Sequence, residues 1–246
     1  MDLVTVTCIR DIDAMIKQAE SIQKFVKPCT HWVILNDEYV DKDLWNNALT
    51  PFYTNHNLKL VVPKWKQWDF NFLTRLFHVP YHPMGYKIQQ VHKLLISEKL
   101  TDDYLITDSE NIFIKPTDIN DWRDTIGSGT TIEFSKLGSY KETIPHYAKK
   151  IDCDIPDLLL EPTTPFVINL EVIKSVEKLR PLLKWFHKLN KVPQSEFFLY
   201  SLLAYKHGLF DGCTPKTSSR SRIFLKGEEH TLEDTCSWIV VRYRSR

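Results

Sequence analysis

Residues 103–116 read DYLITDSENIFIKP, and the rest of the chain is organised around this segment. The apolar run at 104–107 has the β-branched and aromatic bias of a short buried strand. It stops at the polar triplet Asp108-Ser109-Glu110, and a second apolar run follows at 112–114. In an open α/β sheet, groups just past the carboxyl end of a central strand face the crevice in which ligands bind. The triplet is therefore the first candidate for a functional site.

Asp108 and Glu110 lie two residues apart, which would place both carboxylates on one side of an extended segment. Two close carboxylates are unfavourable unless a cation or protons neutralise them, and their oxygen atoms suit a hard divalent cation. A solvated turn built from ordinary loop residues explains the same triplet equally well. Its position directly between two apolar runs favours a metal site.

Strand-like and helix-like patterns alternate along the chain. Such alternation predicts an α/β fold with a mostly parallel central sheet and helices on both faces. No GxGxxG and no GxxxxGK[ST] motif occurs, which disfavours the ordinary dinucleotide enzymes and the P-loop NTPases. Strands are predicted at residues 3–9, 31–35, 58–62, 104–107 and 130–134, and helices at 14–26, 41–52 and 88–100.

Length and composition narrow the class of protein. The 246 residues suffice for one α/β domain, and 32 basic against 31 acidic side chains argue against a general nucleic-acid binder. Five scattered cysteines without a C-x-x-C pair indicate reduced thiols and a cytoplasmic location. The N-terminus lacks a signal-peptide pattern, and no apolar run reaches bilayer-spanning length. These observations do not decide whether the protein contacts a membrane surface peripherally.

Three motifs resemble a known group of enzymes. Residues 103–116 resemble the D-x-D region of nucleotide-sugar-dependent glycosyltransferases of the GT-A fold, in which two acids hold Mn²⁺ or Mg²⁺ against the donor diphosphate. The upstream GYKIQQVHKLL (85–95) and downstream QSEFFLYSLL (194–203) resemble two motifs of a poorly characterised bacterial and phage family of such enzymes. Glu110 occupies the second acidic position of the motif, where these enzymes more often have Asp. The resemblance implies a single domain over 1–246, with a nucleotide-binding half at 1–116 and an acceptor-side half at 117–246.

The resemblance also implies which residues hold the donor. Asp108 and Glu110 would bind the cation, with His230 or alternatively His207 as a third ligand, and Ser109 would lie beside the donor. The first strand-turn would hold the base and the ribose, although a capped helix start explains its residues as well. The residues of the first strand-turn are Thr7, Arg10 and Asp11. The resemblance also implies that Thr164 and Asn169 border the pocket for the donor sugar.

Two helices carry the other candidates. Gln89, Gln90 and Lys93 lie off the apolar stripe of their helix, so they form either a solvated face or a set of ligands for donor hydroxyl groups and phosphate oxygens. Ser195 is the predicted N-cap of a later helix, and Glu196 in its first turn complements the helix dipole. The resemblance adds a second role for Glu196, as a general base for the acceptor hydroxyl or as a ligand of that hydroxyl.

The predicted function is a metal-dependent glycosyltransferase of the hexosyltransferase type. Its donor would be a nucleoside diphosphate sugar, with a UDP-sugar favoured, and its acceptor a hydroxyl group of a glycan or lipid-linked glycan. Aromatic residues crowded into 63–86 suit a sugar-binding loop or a local core. Two alternatives stay open: a nucleotidyltransferase, and a non-catalytic glycan-binding protein.

Overall fold

The computed structural model describes residues 1–37, 40–63, 81–189, 194–209, 221–225 and 240–244, of which 81–85, 221–225 and 240–244 are described by their backbone alone. Strands and helices alternate through the first half, as the sequence predicts. In chain order the elements are β1 (Asp2–Thr7), α1 (Ile12–Phe25), β2 (Thr30–Leu35), α2 (Lys42–Leu49), β3 (Asn57–Val61), α3 (Tyr81–Leu95), β4 (Tyr104–Asp108), β5 (Asn111–Phe113), β6 (Thr131–Glu133), α4 (Ile144–Ile151), β7 (Leu158–Leu160), β8 (Phe166–Ile168), α5 (Leu170–Lys174), α6 (Leu179–Lys188), α7 (Glu196–Lys206), β9 (Ser221–Leu225) and β10 (Val240–Arg244).

The central sheet has five strands in the order β3-β2-β1-β4-β8. The first four are parallel, and β8 runs antiparallel to β4, which confirms the predicted mostly parallel sheet. The chain passes outward from β1 through β2 and β3 and then returns to β4 on the other side of β1. The strand order therefore reverses between β1 and β4, which is where ligands bind in open α/β sheets. The register places Val6 opposite Asp108, so the end of β1 adjoins the acidic triplet.

Each face of this sheet is covered by its own apolar core. Val4 and Val6 of β1 belong to one cluster together with Val91 of α3. Leu3 of the same strand belongs to the other cluster, together with Met15 of α1. Because successive side chains of a strand point to opposite faces, one short strand supplies both cores. The predicted helices on both faces are confirmed.

Two smaller sheets accompany the central one. One has the order β5-β10-β9, and the other pairs β6 with β7. The helix α3 begins at Tyr81, earlier than the predicted residue 88, and Pro83 in its first turn removes no hydrogen bond there. None of the helices in the described part of the chain is long and apolar enough to cross a membrane.

Three buried histidines are uncharged in the folded protein. Burial lowers the pKa of His31 to about 3 and the pKa of His92 and of His187 to about 4. In the unfolded chain a histidine titrates near its ordinary pKa of about 6.5, so below that pH the unfolded state binds more protons. As far as these histidines determine it, the free energy of unfolding is therefore highest above about pH 6.5 and decreases as the pH falls toward 4. Neither ring nitrogen of His92 has a hydrogen-bond partner among the described residues.

We expect the variant His92→Leu to lose less stability in acid than the wild type. Each such histidine costs about 1.4 kcal/mol of unfolding free energy between pH 7.5 and pH 5.5, and the substitution removes one of them. Urea unfolding at the two pH values measures this difference. At pH 7.5 the variant should lie within about 1 kcal/mol of the wild type, because a leucine of similar size replaces an imidazole without a described hydrogen bond. Equal acid sensitivity in the two proteins would contradict the prediction.

Candidate active site

The acidic triplet forms a turn that leaves the central sheet. β4 ends at Asp108, Ser109 and Glu110 make a two-residue turn, and β5 begins at Asn111. The backbone N–H of Asp108 donates to the side-chain oxygen of Asn111 at 2.7 Å. The segment therefore bends at the position that the sequence analysis treated as extended, because the Asn111 side chain bonds back to the backbone three residues earlier.

A buried ionic cluster surrounds the Asp108 carboxylate. The Nζ atom of Lys93 lies 3.2 Å from Asp108 Oδ1 and 3.0 Å from Glu196 Oε1. The hydroxyl of Thr164 donates to Asp108 Oδ2 at 3.0 Å. Lys93 is 4% exposed and Glu196 is 0% exposed. Side chains from α3, from the start of α7 and from the segment before β8 thus converge on the carboxylate at the end of β4.

The Lys93 ammonium stays charged inside the protein. Burial alone would lower its pKa, but the carboxylates of Asp108 and Glu196 together raise the pKa above its ordinary value. Burial raises the pKa of the Glu196 carboxyl, and the charge of Lys93 opposes that shift. The ammonium also lies 4.8 Å from the centre of the Phe197 ring, within range of a cation–π contact. A desolvated lysine is tolerated here because its partners compensate its charge.

The two glutamines of α3 bond to the protein itself. Gln89 donates from Nε2 to the carbonyl oxygen of Val6 at 3.2 Å, which ties α3 to the end of β1. Gln90 forms a hydrogen bond with Glu196 in either orientation of its side-chain amide. Its oxygen accepts the backbone N–H of Glu196 at 3.3 Å, and with the amide turned over its nitrogen donates to the Glu196 carboxylate. The predicted contacts of both glutamines with a donor stay predictions.

The sequence analysis missed a residue that bonds to the first strand-turn. Asp37, just past β2, accepts the backbone N–H of Ile9 with both carboxylate oxygens, at 3.0 and 2.9 Å. Burial raises the pKa of this carboxyl, and the N–H of Ile9 opposes the shift. Its signal in the sequence is an acid that follows the apolar run HWVIL, the same signal that identified Asp108.

The other candidates of the predicted nucleotide-binding half lie at the expected end of the sheet. Thr7 is buried at the last position of β1, and Arg10 is exposed in the turn that follows. Asp11, in the same turn, accepts a hydrogen bond from the Cys8 thiol at 3.4 Å. Asn169 lies at the other end of the sheet. It follows β8, caps α5 and donates to Asp103, just before the start of β4, at 3.3 Å, so the structure does not bring it to the acidic turn.

The acidic turn offers a donor set that fits a hard divalent cation. Asp108 and Glu110 are both partly exposed, and their carboxylate oxygens are the ligands that Mn²⁺ and Mg²⁺ prefer. Within the described ranges no group of three or more His, Cys, Asp or Glu side chains could hold a metal ion. His207 is an exposed residue at the C-terminal end of α7. His230 and residues 64–80 of the predicted sugar-binding loop lie outside the described residues.

The structure is similar to those of solved glycosyltransferases. The galactosyltransferase LgtC, crystallised with donor and acceptor sugar analogues, is 16% identical, with a TM-score of 0.56 over 100% of this chain and 87% of its own. Mouse xyloside xylosyltransferase 1 in its apo form is 10% identical, with a TM-score of 0.47 over 84% of this chain and 82% of its own. Core-mannan synthase A from Aspergillus fumigatus, in its Mn/GDP form, is 8% identical, with a TM-score of 0.45 over 83% of this chain and 69% of its own.

Sequence comparison adds no closer relationship. No protein-family model matches the chain, and no curated protein sequence matches it at a significant level. At 16% identity, the likeness to the galactosyltransferase shows the fold alone. The chain therefore has the mixed α/β fold of the GT-A-type glycosyltransferases, with a mostly parallel central sheet flanked by helices.

Proposed function

We propose that the protein is a metal-dependent glycosyltransferase that moves a sugar from a nucleoside diphosphate sugar to a hydroxyl group. The acidic turn at residues 108–110 carries this proposal, because it lies where the strand order reverses in a GT-A-type sheet. The donor would lie across the carboxyl ends of β1 and β4. Its nucleoside would contact Thr7, Arg10 and Asp11, and its diphosphate would lie beside Asp108 and Ser109.

The side chains at this turn are oriented before any donor arrives. Lys93 holds one oxygen of Asp108 and Thr164 holds the other, so the carboxylate has a fixed orientation. Such preorganisation lowers the entropic cost of forming a productive complex. Asp108 and Glu110 would hold Mn²⁺ or Mg²⁺, which when bound stabilises the charge that develops on the departing nucleoside diphosphate.

The geometry favours an indirect role for Glu196. Its carboxylate is fully buried against Lys93, so an acceptor hydroxyl has no direct access to it in this arrangement. A general base must lie within hydrogen-bond reach of the proton that it removes. We therefore assign Glu196 to positioning, in which it holds Lys93 against Asp108. The first turn of α7 would then act on the donor site through this lysine.

We expect nucleotide binding that depends on both the metal and Asp108. Millimolar UDP or GDP with Mn²⁺ should raise the wild-type melting temperature, since a ligand at 100 times its Kd adds about 2.7 kcal/mol, or roughly 5–10 °C for a chain of this size. The rise should be absent without Mn²⁺ and absent in Asp108→Asn. Asp43→Asn, an exposed acid on α2, is the matched control and should keep the rise. A wild type that responds to neither nucleotide would contradict the proposed donor site.

The products distinguish the proposal from its alternatives. Incubation with UDP-sugars and Mn²⁺ should release UDP, by transfer to an added glycan or by slow transfer to water, and should release no pyrophosphate. Chromatography of the nucleotide products measures both. Pyrophosphate release would indicate a nucleotidyltransferase. Glycan binding that persists in Asp108→Asn and without metal, with no donor cleavage, would indicate a non-catalytic glycan-binding protein.

We expect strongly non-additive effects within the ionic cluster. Lys93→Met should lower the free energy of unfolding by about 3–5 kcal/mol, because it leaves Asp108 and Glu196 without their shared cation. Adding Glu196→Gln should restore at least about 1–2 kcal/mol of that loss, since one buried charge is then removed. Urea unfolding of the two single variants and the double variant measures the coupling. Additive losses would show that the cluster does not act as a unit.

A further inference from the structure

A chain of buried polar side chains lies under the acidic turn, on the α1 side of the sheet. The Tyr53 hydroxyl lies 2.6 Å from His31 Nδ1, and His31 Nε2 lies 2.9 Å from the Thr5 hydroxyl. Thr5 in turn lies 3.1 Å from Gln18 Oε1 and 2.8 Å from the Thr107 hydroxyl. Apart from Tyr53, which is 8% exposed, these side chains are 0% exposed. Polar groups buried this completely are costly unless they are hydrogen-bonded, and every one of these has a partner.

This series of hydrogen-bonded side chains ends at the backbone of the acidic turn. Gln18 Nε2 donates to the carbonyl oxygen of Asp108 at 2.7 Å and to that of Asn111 at 3.1 Å. These two carbonyls lie on either side of the two-residue turn. One turn further along α1, the Ser21 hydroxyl accepts the backbone N–H of Phe113 at 3.1 Å. A single amide group of α1 thus holds both ends of the segment that carries the acids.

The direction of the hydrogen bonds follows from the number of protons available. An amide oxygen can only accept, so Gln18 Oε1 accepts the hydroxyl proton of Thr5. Gln18 Nε2 donates to the two carbonyls and also lies 3.5 Å from the Thr107 hydroxyl oxygen. Thr5 has one hydroxyl proton, which it gives to Gln18, so it accepts from His31 Nε2–H and from Thr107. His31 Nδ1 then accepts from the Tyr53 hydroxyl. Aligned hydrogen bonds of this kind polarise and strengthen one another.

We infer that Gln18 is a positioning residue for the cation site, because it sets the separation of the two backbone carbonyls that bracket Ser109 and Glu110. This inference rests on the proposed function, which places the cation on Asp108 and Glu110. Gln18 contacts neither carboxylate. It acts through the backbone of the turn, and so it is distinct from Lys93, which acts on the Asp108 side chain.

The test compares Gln18→Met with a control on the same helix. Methionine has a similar length but donates no hydrogen bond, so the two carbonyls lose their partner. Ile22→Ala truncates another fully buried α1 side chain, one that has no hydrogen-bond donor to offer the turn's carbonyls, and it serves as a control for lost stability. The Kd for Mn²⁺ in the presence of UDP is measured by electron paramagnetic resonance of the free ion, well below the melting temperature of each variant. We expect Gln18→Met to raise this Kd at least tenfold and Ile22→Ala to leave it within twofold.

A second readout needs no metal. In the metal-free proteins, amide hydrogen exchange of the peptide that spans β4 and β5 should be at least tenfold faster in Gln18→Met than in the wild type. It should also be faster than in Ile22→Ala, in which only the loss of global stability speeds exchange. If Gln18→Met does not fold, a variant at Thr5 tests the same series of hydrogen bonds with a smaller perturbation. Thr5→Val removes the hydroxyl that donates to Gln18 without changing the shape of the side chain, and it should weaken Mn²⁺ binding about threefold. Thr5→Ser keeps the hydroxyl and should bind Mn²⁺ as the wild type does.

The outcomes separate this inference from the function on which it rests. Wild-type Mn²⁺ affinity in Gln18→Met, or in Thr5→Val where the first variant does not fold, would overturn the inference alone, provided that Asp108→Asn loses the ion. Unchanged hydrogen exchange at the turn in the folded variant would also overturn it. A wild type that binds no Mn²⁺ with UDP would overturn the proposed function and this inference together.

Discussion

The buried charge of Lys93 ties three elements of the fold to one another. A buried ammonium is stable only with compensating partners, and here these are the carboxylates of Asp108 and Glu196. Because these residues come from α3, β4 and α7, the pairing fixes three elements relative to one another. Gln89 and Gln90 strengthen the same junction, since they bond α3 to the end of β1 and to the start of α7. The geometry of the acidic turn is therefore a property of the whole fold and cannot be set by the turn alone.

Two different networks hold the acidic turn from the two faces of the sheet. On the α1 face, Gln18 binds the backbone carbonyls of Asp108 and Asn111 through neutral hydrogen bonds. On the α3 face, Lys93 binds the Asp108 side chain through an ion pair. One network fixes the path of the chain and the other fixes the direction of a carboxylate. Sites in which supporting groups lock both backbone and side chain meet a ligand with little reorganisation.

Local sequence patterns predicted the strands of the central sheet. They could not predict the partners of Lys93 and Gln18, because those contacts depend on the tertiary fold. The apolar runs at β1, β2, β3 and β4 and the acid after β4 are visible in the sequence because each depends on neighbouring residues. Lys93 was read as lying on a solvated or ligand-facing surface of α3, since its partner Glu196 lies far away in the chain and no local spacing records it. Gln18 was missed, although a glutamine beside Met15 and Ala19 on the apolar stripe of α1 is itself a signal. A polar residue on a buried stripe indicates a partner elsewhere in the fold.

The ion pairs of the cluster join the buried lysine to the acidic turn. Lys93 pairs with Glu196 and with Asp108, so the buried ammonium has compensating charges within the protein. If a metal alone balanced the acids, the folded protein would depend on its occupancy. Lys93 removes that dependence, because it pairs with the fully buried Glu196. Asp108 and Glu110, the acids of the turn itself, stay partly exposed.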